Sequence, residues 1–439
     1  MERMKHVHII TYGCQMNEHD SEQIAGLLQA AGYAMTTEPE RADLILLNTC
    51  SIRVKAEHKL YSQLGKLRLL KAKHPELIIG VCGCVAQQEG ENIFEHLPYV
   101  DLVLGTKAIP RLPILLQALE SSPRVIDISE HVWEDESQNI FRECHFKAYI
   151  TIMRGCNNFC AYCVVPYTRG REESRPAAEI VDETRHLVQD GVLEITLLGQ
   201  NVSSYADPTN GVSSFPKLLE AVHVVDGLQR LRFITAHPKD LSPELIDTMA
   251  KLSKVCEHFH LPCQAGSNRV LQLMNRRYTR EWYLSRVKLL REAIPNIAIT
   301  TDIIVGFPGE REEDFQQTLA LLEEVRYDGI FAFNYSIRPN AKAGSLPDHV
   351  SGEVQNDRLQ RVLALQKRIG FEKHTALVGK TFEVLPETMN PRFPGTLTGR
   401  TRTNHVVTFP GTPDLLGQFV AVEITAAHPF RLSGRVITK

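Results

Sequence analysis

Nowhere in the 439 residues is there an apolar run near the 18 or so residues of a membrane span. Met1 to Asp20 likewise lacks the apolar core and small-residue site of an export signal. A cytoplasmic chain without a membrane segment is therefore expected. A disulfide framework is missing too, because the ten cysteines fall as one triplet plus scattered singles. Thiols of that distribution suit a reduced metalloprotein. Nor is there an overall excess of positive charge: 49 Lys and Arg against 52 Asp and Glu leave a net charge of -3. Global charge thus neither demands nor forbids a nucleic-acid partner, since a local basic face can supply the contacts. With 43% hydrophobic and 23% charged residues the composition is ordinary for a globular protein, and the length suggests about three domains.

What the chain does have is Arg154-Gly155-Cys156-Asn157-Asn158-Phe159-Cys160-Ala161-Tyr162-Cys163, three thiols within eight residues. One loop leaving the apolar run Tyr149 to Met153 can aim all three sulfurs at a point. A closed structural zinc site wants four ligands, and the pattern stops at three. Cys144 and His145 could in principle complete such a site, although a cluster is the better reading. A 4Fe-4S cubane on three thiolates keeps one iron without a protein ligand, where an outside molecule can bind.

The first segment alternates strand-like and helix-like stretches. His6 to Tyr12, Asp43 to Asn48, Leu77 to Cys82 and Val100 to Leu104 read as strands, with helices between, including Val54 to Lys73 and Ile109 to Leu119. Such alternation implies an open parallel sheet with helices on both faces. Cys14, Cys50 and Cys84 each follow the C-terminal end of a strand, the edge where these sheets gather ligands. They make either a second three-thiolate cluster or small core residues. Gly83 frees the turn before Cys84, so Cys82 is read as a buried strand thiol.

Ser121 to Arg142 has Pro, Ser and acidic residues with little periodicity, and is read as a linker. Beyond it come six strands: the run from Tyr149, then Leu193 to Leu198, Leu231 to Thr235, Glu257 to Leu261, Ile297 to Ile304 and Gly329 to Tyr335. That count points to a partial (β/α)6 barrel, whose site gathers at the C-terminal strand ends. Gln200-Asn201, His237-Pro238, Pro262-Cys263-Gln264 and the glycine-rich turn from Gly306 to Glu310 fall there. Each serves either turn chemistry or cofactor contact. His258 and His260 read as barrel filling, and Cys256 and Cys263 as packing. Arg169, Arg171, Arg175, Arg276, Arg277 and Arg280 are either solvated surface or, at the barrel mouth, phosphate contacts.

A long amphipathic helix, Gln355 to His374, precedes five short strand-like pieces between Thr381 and Ile437, a small antiparallel β-barrel. Leu377 to Lys439 holds seven Lys and Arg against four Asp and Glu, a local charge of +3. This module reads as a nucleic-acid grip, with Arg400, Arg402 and Asn404 in the contact loop. The fold class is α/β overall. The expected divisions are 1–122 for the N-terminal α/β domain, 123–143 for the linker, 144–374 for the partial barrel and 375–439 for the β-barrel.

The Cys-x-x-x-Cys-x-x-Cys run, with an aromatic before its last cysteine, resembles the radical S-adenosylmethionine loop. Together with Tyr12-Gly13-Cys14-Gln15-Met16-Asn17 and Asn48-Thr49-Cys50-Ser51-Ile52-Arg53, the chain from Lys5 to Lys439 resembles the methylthiotransferase family. Within it, these two motifs look like the branch acting on dimethylallyl-adenosine in tRNA, rather than on threonylcarbamoyl-adenosine or a ribosomal-protein aspartate.

The resemblance implies an N-terminal methylthiotransferase domain, a radical barrel and a C-terminal TRAM domain. It implies two 4Fe-4S clusters, on Cys156, Cys160 and Cys163 and on Cys14, Cys50 and Cys84. S-adenosyl-L-methionine would bind the first, with Tyr162 near its adenine and Gln200, Asn201 and Gly306 as further contacts. One molecule would methylate a sulfur on the second cluster; another would yield the radical that takes hydrogen from carbon 2 of the adenine. Expected partners are a tRNA anticodon stem-loop, a reductant such as flavodoxin or ferredoxin, and a sulfur donor, with the chain a monomer. The chain departs from the family pattern at Cys82, Cys263, Arg311 and His405, the last standing where a basic RNA contact is common. A non-catalytic two-cluster electron carrier is the rival from another class, but it would need neither barrel nor RNA module. Anaerobic reconstitution should give about eight irons per chain and negligible zinc, measured by metal analysis; about two to four irons, or stoichiometric zinc, overturns the two-cubane reading.

Overall fold

The computed structural model describes residues 4–51, 54–130, 140–142, 144–209 and 214–437. Its first unit is a six-stranded, wholly parallel sheet built from β1 (Lys5–Tyr12), β2 (Tyr33–Met35), β3 (Leu44–Thr49), β4 (Ile78–Cys82), β5 (Leu102–Leu104) and β6 (Val125–Asp127). The spatial order is β2-β1-β3-β4-β5-β6. Helices α1 (Gln15–Ala30), α2 (Val54–Lys73), α3 (Cys84–Glu89), α4 (Asn92–His96) and α5 (Leu112–Ala118) cover it. Leu44 and Leu46 face Ile24, Leu28 and Leu112, while Ile45 and Leu47 face Leu60 and Leu64. Alternating apolar residues on both faces explain why β3 reads as an unbroken Leu-Ile-Leu-Leu run.

β6 corrects the linker expectation. Val125–Asp127 pairs in parallel with β5, although Pro123 and polar neighbours disguise it. Residues 131–139 and 143 of that stretch, and Ile52 and Arg53 of the second motif, lie outside the described residues.

The second unit begins with β7 (Lys147–Thr151), followed by β8 (Met153–Arg154), α6 (Val165–Thr168) and β9 (Glu173–Ser174), β8 and β9 forming a small pair. The barrel continues with β10 (Glu194–Leu198), β11 (Arg230–Phe233), β12 (His258–His260), β13 (Ala298–Val305) and β14 (Gly329–Asn334). Sheets β7-β10-β11 and β12-β13-β14 meet through an isolated bridge between Leu231 and Val255, leaving β7 and β14 as edges of an open barrel. His258 and His260 both meet the Thr300 hydroxyl, as barrel filling requires.

A long helix, Gly352–Thr375, packs over β14 and continues to the third unit. That unit is a closed barrel of β15 (Thr381–Met389), β16 (Thr396–Thr401), β17 (Val406–Pro410), β18 (Val420–His428) and β19 (Arg431–Val436). It departs from an all-antiparallel plan in one place: β17 and β19 pair in parallel. The connection from Gly411 to Phe419 turns the β18-β19 hairpin so that its second strand returns alongside β17. Among the described residues no helix is long and apolar enough to cross a membrane.

The small barrel is seated on the starting ends of the strands of the second unit. Arg230 donates to the carbonyls of Arg400 (3.0 Å) and Glu383 (2.9 Å), and Arg232 to those of Arg402 (2.9 Å) and Thr401 (2.8 Å). Buried Glu194 lies 3.0 Å from Arg232. Arg402 does not reach outward as its place in the expected RNA loop implies; it donates to Glu257 and to the Ser253 and Val255 carbonyls. The tip between β16 and β17 turns into the barrel, where Glu257 is the acid at hand. His405 turns inward as well, 3.6 Å from Asp328.

Arg402→Ala should therefore loosen the small barrel, seen as faster limited proteolysis between residues 375 and 381 than in the intact chain. Burial alone would raise Asp328, but His405 and Lys373 pull it down to about 2. The unfolded chain takes up that proton near pH 4, so the stabilisation is complete above about pH 4 and is lost as pH falls towards 2. Asp328→Asn should unfold more easily at neutral pH and show a flatter loss of stability over that acid window in urea titrations.

Candidate cluster and cofactor site

Three strand ends of the first unit are packed so closely that glycine is required between them. A Cβ on Gly13 would lie 2.7 Å from that of Cys50, and one on Gly83, whose φ is +88°, would lie 2.9 Å from the Thr49 carbonyl. The result brings Cys14, Cys50 and Cys84 to one rim. Cys14 opens α1, and its sulfur lies 3.4 Å from the Asn17 side-chain oxygen. A hydrogen bond with Cys50 outweighs burial and, with Arg169 and the Met16 and Asn17 amides, lowers the Cys14 thiol to about 6. Sulfur at a helix start beside a cation favours thiolate, the form that ligates metal. Burial raises Cys84, opposed by Arg169. Cys82 instead points into the apolar core, 3.5 Å from the Leu47 carbonyl, and burial pushes its thiol up.

The second triplet sits on a loop held from every side. Gly155 has φ +73°, and a Cβ there would fall 1.9 Å from the Arg171 carbonyl. The Gly155 amide donates to the Gln200 side chain, and Cys156 N to the Gly170 carbonyl (3.1 Å). Asn275 holds the Phe159 carbonyl at 2.9 Å. The Asn158 amide reaches Cys156 Sγ at 3.4 Å, and His237 Nε2 stands 3.9 Å from Cys160 Sγ. Burial raises the thiols of Cys156 and Cys163, the latter to about 12.

Arg276 is the other anchor of this loop. Its guanidinium is 3% exposed and donates to Cys160 Sγ (3.3 Å), the Tyr162 hydroxyl (3.2 Å), the Tyr278 hydroxyl (3.0 Å) and the Pro262 carbonyl (2.6 Å). Among the described residues no carboxylate pairs with it, so a buried cation faces the sulfurs without an acid to offset it.

Other residues read from the sequence are distributed as follows. Asn201 is wholly buried and committed to Asp240 (2.7 Å) and the His237 amide (2.9 Å). The Gly306 amide donates to Glu310 (2.6 Å), whose carboxyl burial raises to about 6 against Arg358. Gln200 Nε2 and Gln264 Oε1 are among the buried polar atoms that have no hydrogen-bond partner. Both belong to turns at the ends of barrel strands, and orphaned atoms there fit a polar ligand. Arg400 keeps an exposed edge beside Asn404. Cys144 and His145 precede β7, a strand's length from Cys156, and do not complete that triplet.

Arg169 overturns both earlier readings of its group, surface and phosphate contact. It follows α6, six residues past Cys163, and is buried in an ion pair with Asp20 of α1 at 2.5 Å. Thr106 joins the same units by donating to the Thr168 carbonyl (2.7 Å). Arg175 is buried on Glu183 (2.7 Å), and Arg280 reaches Glu324 (3.0 Å). Sequence spacing gave no sign of these pairings, because the acids lie up to 149 positions away.

The donor set is what iron-sulfur clusters take: free thiols, buried or half-buried, with N–H donors aimed at sulfur. Among the described residues no three His, Cys, Asp or Glu side chains close around a single metal ion. Thiolates on one zinc stand about 3.8 Å apart, given bonds of about 2.3 Å, whereas cubane ligands bind different irons and spread wider.

Family models match in three places: Uncharacterized protein family UPF0004 over 6–105, the Radical SAM superfamily over 150–322 and the TRAM domain over 375–437. The tRNA-2-methylthio-N(6)-dimethylallyladenosine synthase of Syntrophotalea carbinolica is 48% identical over 430 residues, 97% of this chain and 98% of the relative. The synthase of the same name from Carboxydothermus hydrogenoformans is 47% identical, covering 99% of each. Among solved structures, the radical S-adenosylmethionine methyltransferase TsrM from Kitasatospora setae shares the fold at TM-score 0.56 and 13% identity, over 77% of this chain and 75% of that one.

Replacing Arg169 by Met should isolate the Asp20 carboxylate and cost about 3–5 kcal/mol in urea unfolding, with Asp20→Asn in the same chain restoring much of it. Gly155→Ala should prevent closure of the loop, read as loss of about half the iron bound on reconstitution.

Proposed function

The chain belongs to the methylthiotransferase family of radical S-adenosylmethionine enzymes, in the branch of the tRNA-2-methylthio-N(6)-dimethylallyladenosine synthases, and from that premise we propose that it inserts a methylthio group at carbon 2 of dimethylallyl-adenosine 3′ of the anticodon in tRNA. A 4Fe-4S cluster and S-adenosylmethionine accompany that membership. The fuller reading has two clusters, one on Cys156, Cys160 and Cys163 and one on Cys14, Cys50 and Cys84, and two molecules of S-adenosylmethionine per product. When bound, these groups supply a radical and a methylated sulfur, which an aryl C–H bond requires because it offers neither an acidic proton nor a leaving group.

The observation that carries the reading is the joining of the two triplets by Arg169, which continues one cysteine loop and lies buried beside the other. Arg169 follows Cys163 by six residues, and α6 between them packs against α3, the helix that Cys84 opens, which supports placing the two triplets near one another. A zinc-binding or electron-carrying protein has no use for that arrangement together with an RNA module.

The chain's own residues orient and exclude. Gln200 and Asn275 hold the backbone of the loop that carries the three cysteines. Arg276 gives Cys160 a donor and a positive charge, which favours thiolate ligation. Glu310, locked by Arg358 at 2.8 Å, fixes the Gly306 turn, and the free atoms of Gln200 and Gln264 are suited to a polar cofactor. Tyr162 is proposed at the cofactor's adenine, with Arg400 and Asn404 as RNA contacts and Arg402 as their anchor to the barrel. Flavodoxin or ferredoxin and a separate sulfur donor complete the cycle.

Mass spectrometry of tRNA from cells lacking the protein should show dimethylallyl-adenosine without its methylthio group. Unchanged tRNA beside an unmodified ribosomal aspartate would transfer the assignment to another branch. RNA binding should weaken steeply with added salt.

A further inference from the structure

β14 is the last strand of the open barrel, and its two faces are unequal. Ile330 and Ala332 pack against the barrel core beneath the long helix. Alternation turns Phe331 and Phe333 the other way, into the lumen. There they are 52% and 39% exposed, although a barrel interior is ordinarily filled. Phe331 meets the His260 ring edge-on, with ring centroids 5.9 Å apart. In register, Phe331 stands beside Asp302 and Phe333 beside Ile304, one residue before the Val305-Gly306 end of the catalytic rim. Two neighbouring rings left wet inside a site need an apolar occupant.

We propose that Phe331 and Phe333 form the receiving surface for the dimethylallyl tail of the substrate nucleoside, a specificity site that favours this tail over a charged one. The inference rests on the substrate reading above and deepens it. A base presenting carbon 2 to the cysteine loop, which follows β7, has its exocyclic nitrogen at another edge of the ring. β14 is the opposite border of the same opening. The tail can therefore cross the lumen to the rings while the base remains at the loop. A branched hydrocarbon gains by leaving water for this surface, whereas a threonylcarbamoyl carboxylate would lose hydration and meet the Asp302 carboxylate nearby.

The test is equilibrium binding by fluorescence anisotropy, using the anaerobically reconstituted full chain and two labelled anticodon stem-loops. One carries dimethylallyl-adenosine, the other plain adenosine. The intact chain should prefer the prenylated RNA by about tenfold or more, from the burial of a few methyl and methylene groups. Phe331→Ala with Phe333→Ala should abolish the preference and leave affinity for plain RNA unchanged. Leucine at both positions should restore most of it.

A preference that survives the alanine pair overturns the inference. So does equal weakening of both RNAs, or failure of leucine to rescue, since either result makes the rings a stacking platform for bases. Absence of preference in the intact chain also overturns it. The substrate reading is judged separately by the tRNA mass spectrum and can stand when this inference falls.

Discussion

The arrangement of the molecule depends on buried charge pairing between its first two units, above all Arg169 with Asp20, alongside Arg338 with Glu57 at 2.6 Å. Arg169 and Asp20 are almost completely removed from solvent, so each would be costly alone and they hold one another in place. Because Arg169 is part of the segment that follows the radical-type cysteine loop, the pair sets the register between that loop and the rim carrying Cys14, Cys50 and Cys84. Burial of Thr106 against Thr168 adds a neutral contact to the same seam. The seam is thus polar and directional, which specifies one docking geometry where an apolar interface would tolerate sliding.

The two guanidiniums near sulfur are not equivalent. Arg169 is offset by Asp20, whereas Arg276 has hydroxyls, a carbonyl and Cys160 around it and no acid among the described residues. Charge near an iron-sulfur centre is one of the terms that sets its potential. The two triplets therefore lie in different electrostatic surroundings even though their ligand types are the same.

Much of this was legible in the order of residues. Continuous apolar runs marked the strands of the parallel sheet, and the cysteines just past their ends, in Gly13-Cys14, Thr49-Cys50 and Gly83-Cys84, marked the rim. The short strands β2 and β6 were not legible: three residues carry too little periodicity, and their pairing comes from neighbours distant in sequence. The arginines misled for a related reason. Arg169, Arg175 and Arg276 look like surface or phosphate-binding residues when read locally, and only folding brings Asp20, Glu183 and Cys160 to them. Arg402 was drawn to Glu257 of the barrel, a partner 145 positions earlier. Long-range ion pairs leave no spacing signature, whereas turns and cluster loops do.

The helix Gly352–Thr375 grips a different part of the molecule at each end. Its first turns hold the Gly306–Glu310 turn through Gln355 and Arg358, and its last hold the small barrel, where Gly370 lies against Pro429 and His374 bonds the His428 carbonyl. At about 1.5 Å per residue this is a strut some 36 Å long, lying along the back of β14. Any pull exerted on the small barrel is carried along a stiff rod to the rim of the reaction chamber, with no slack joint between to absorb it.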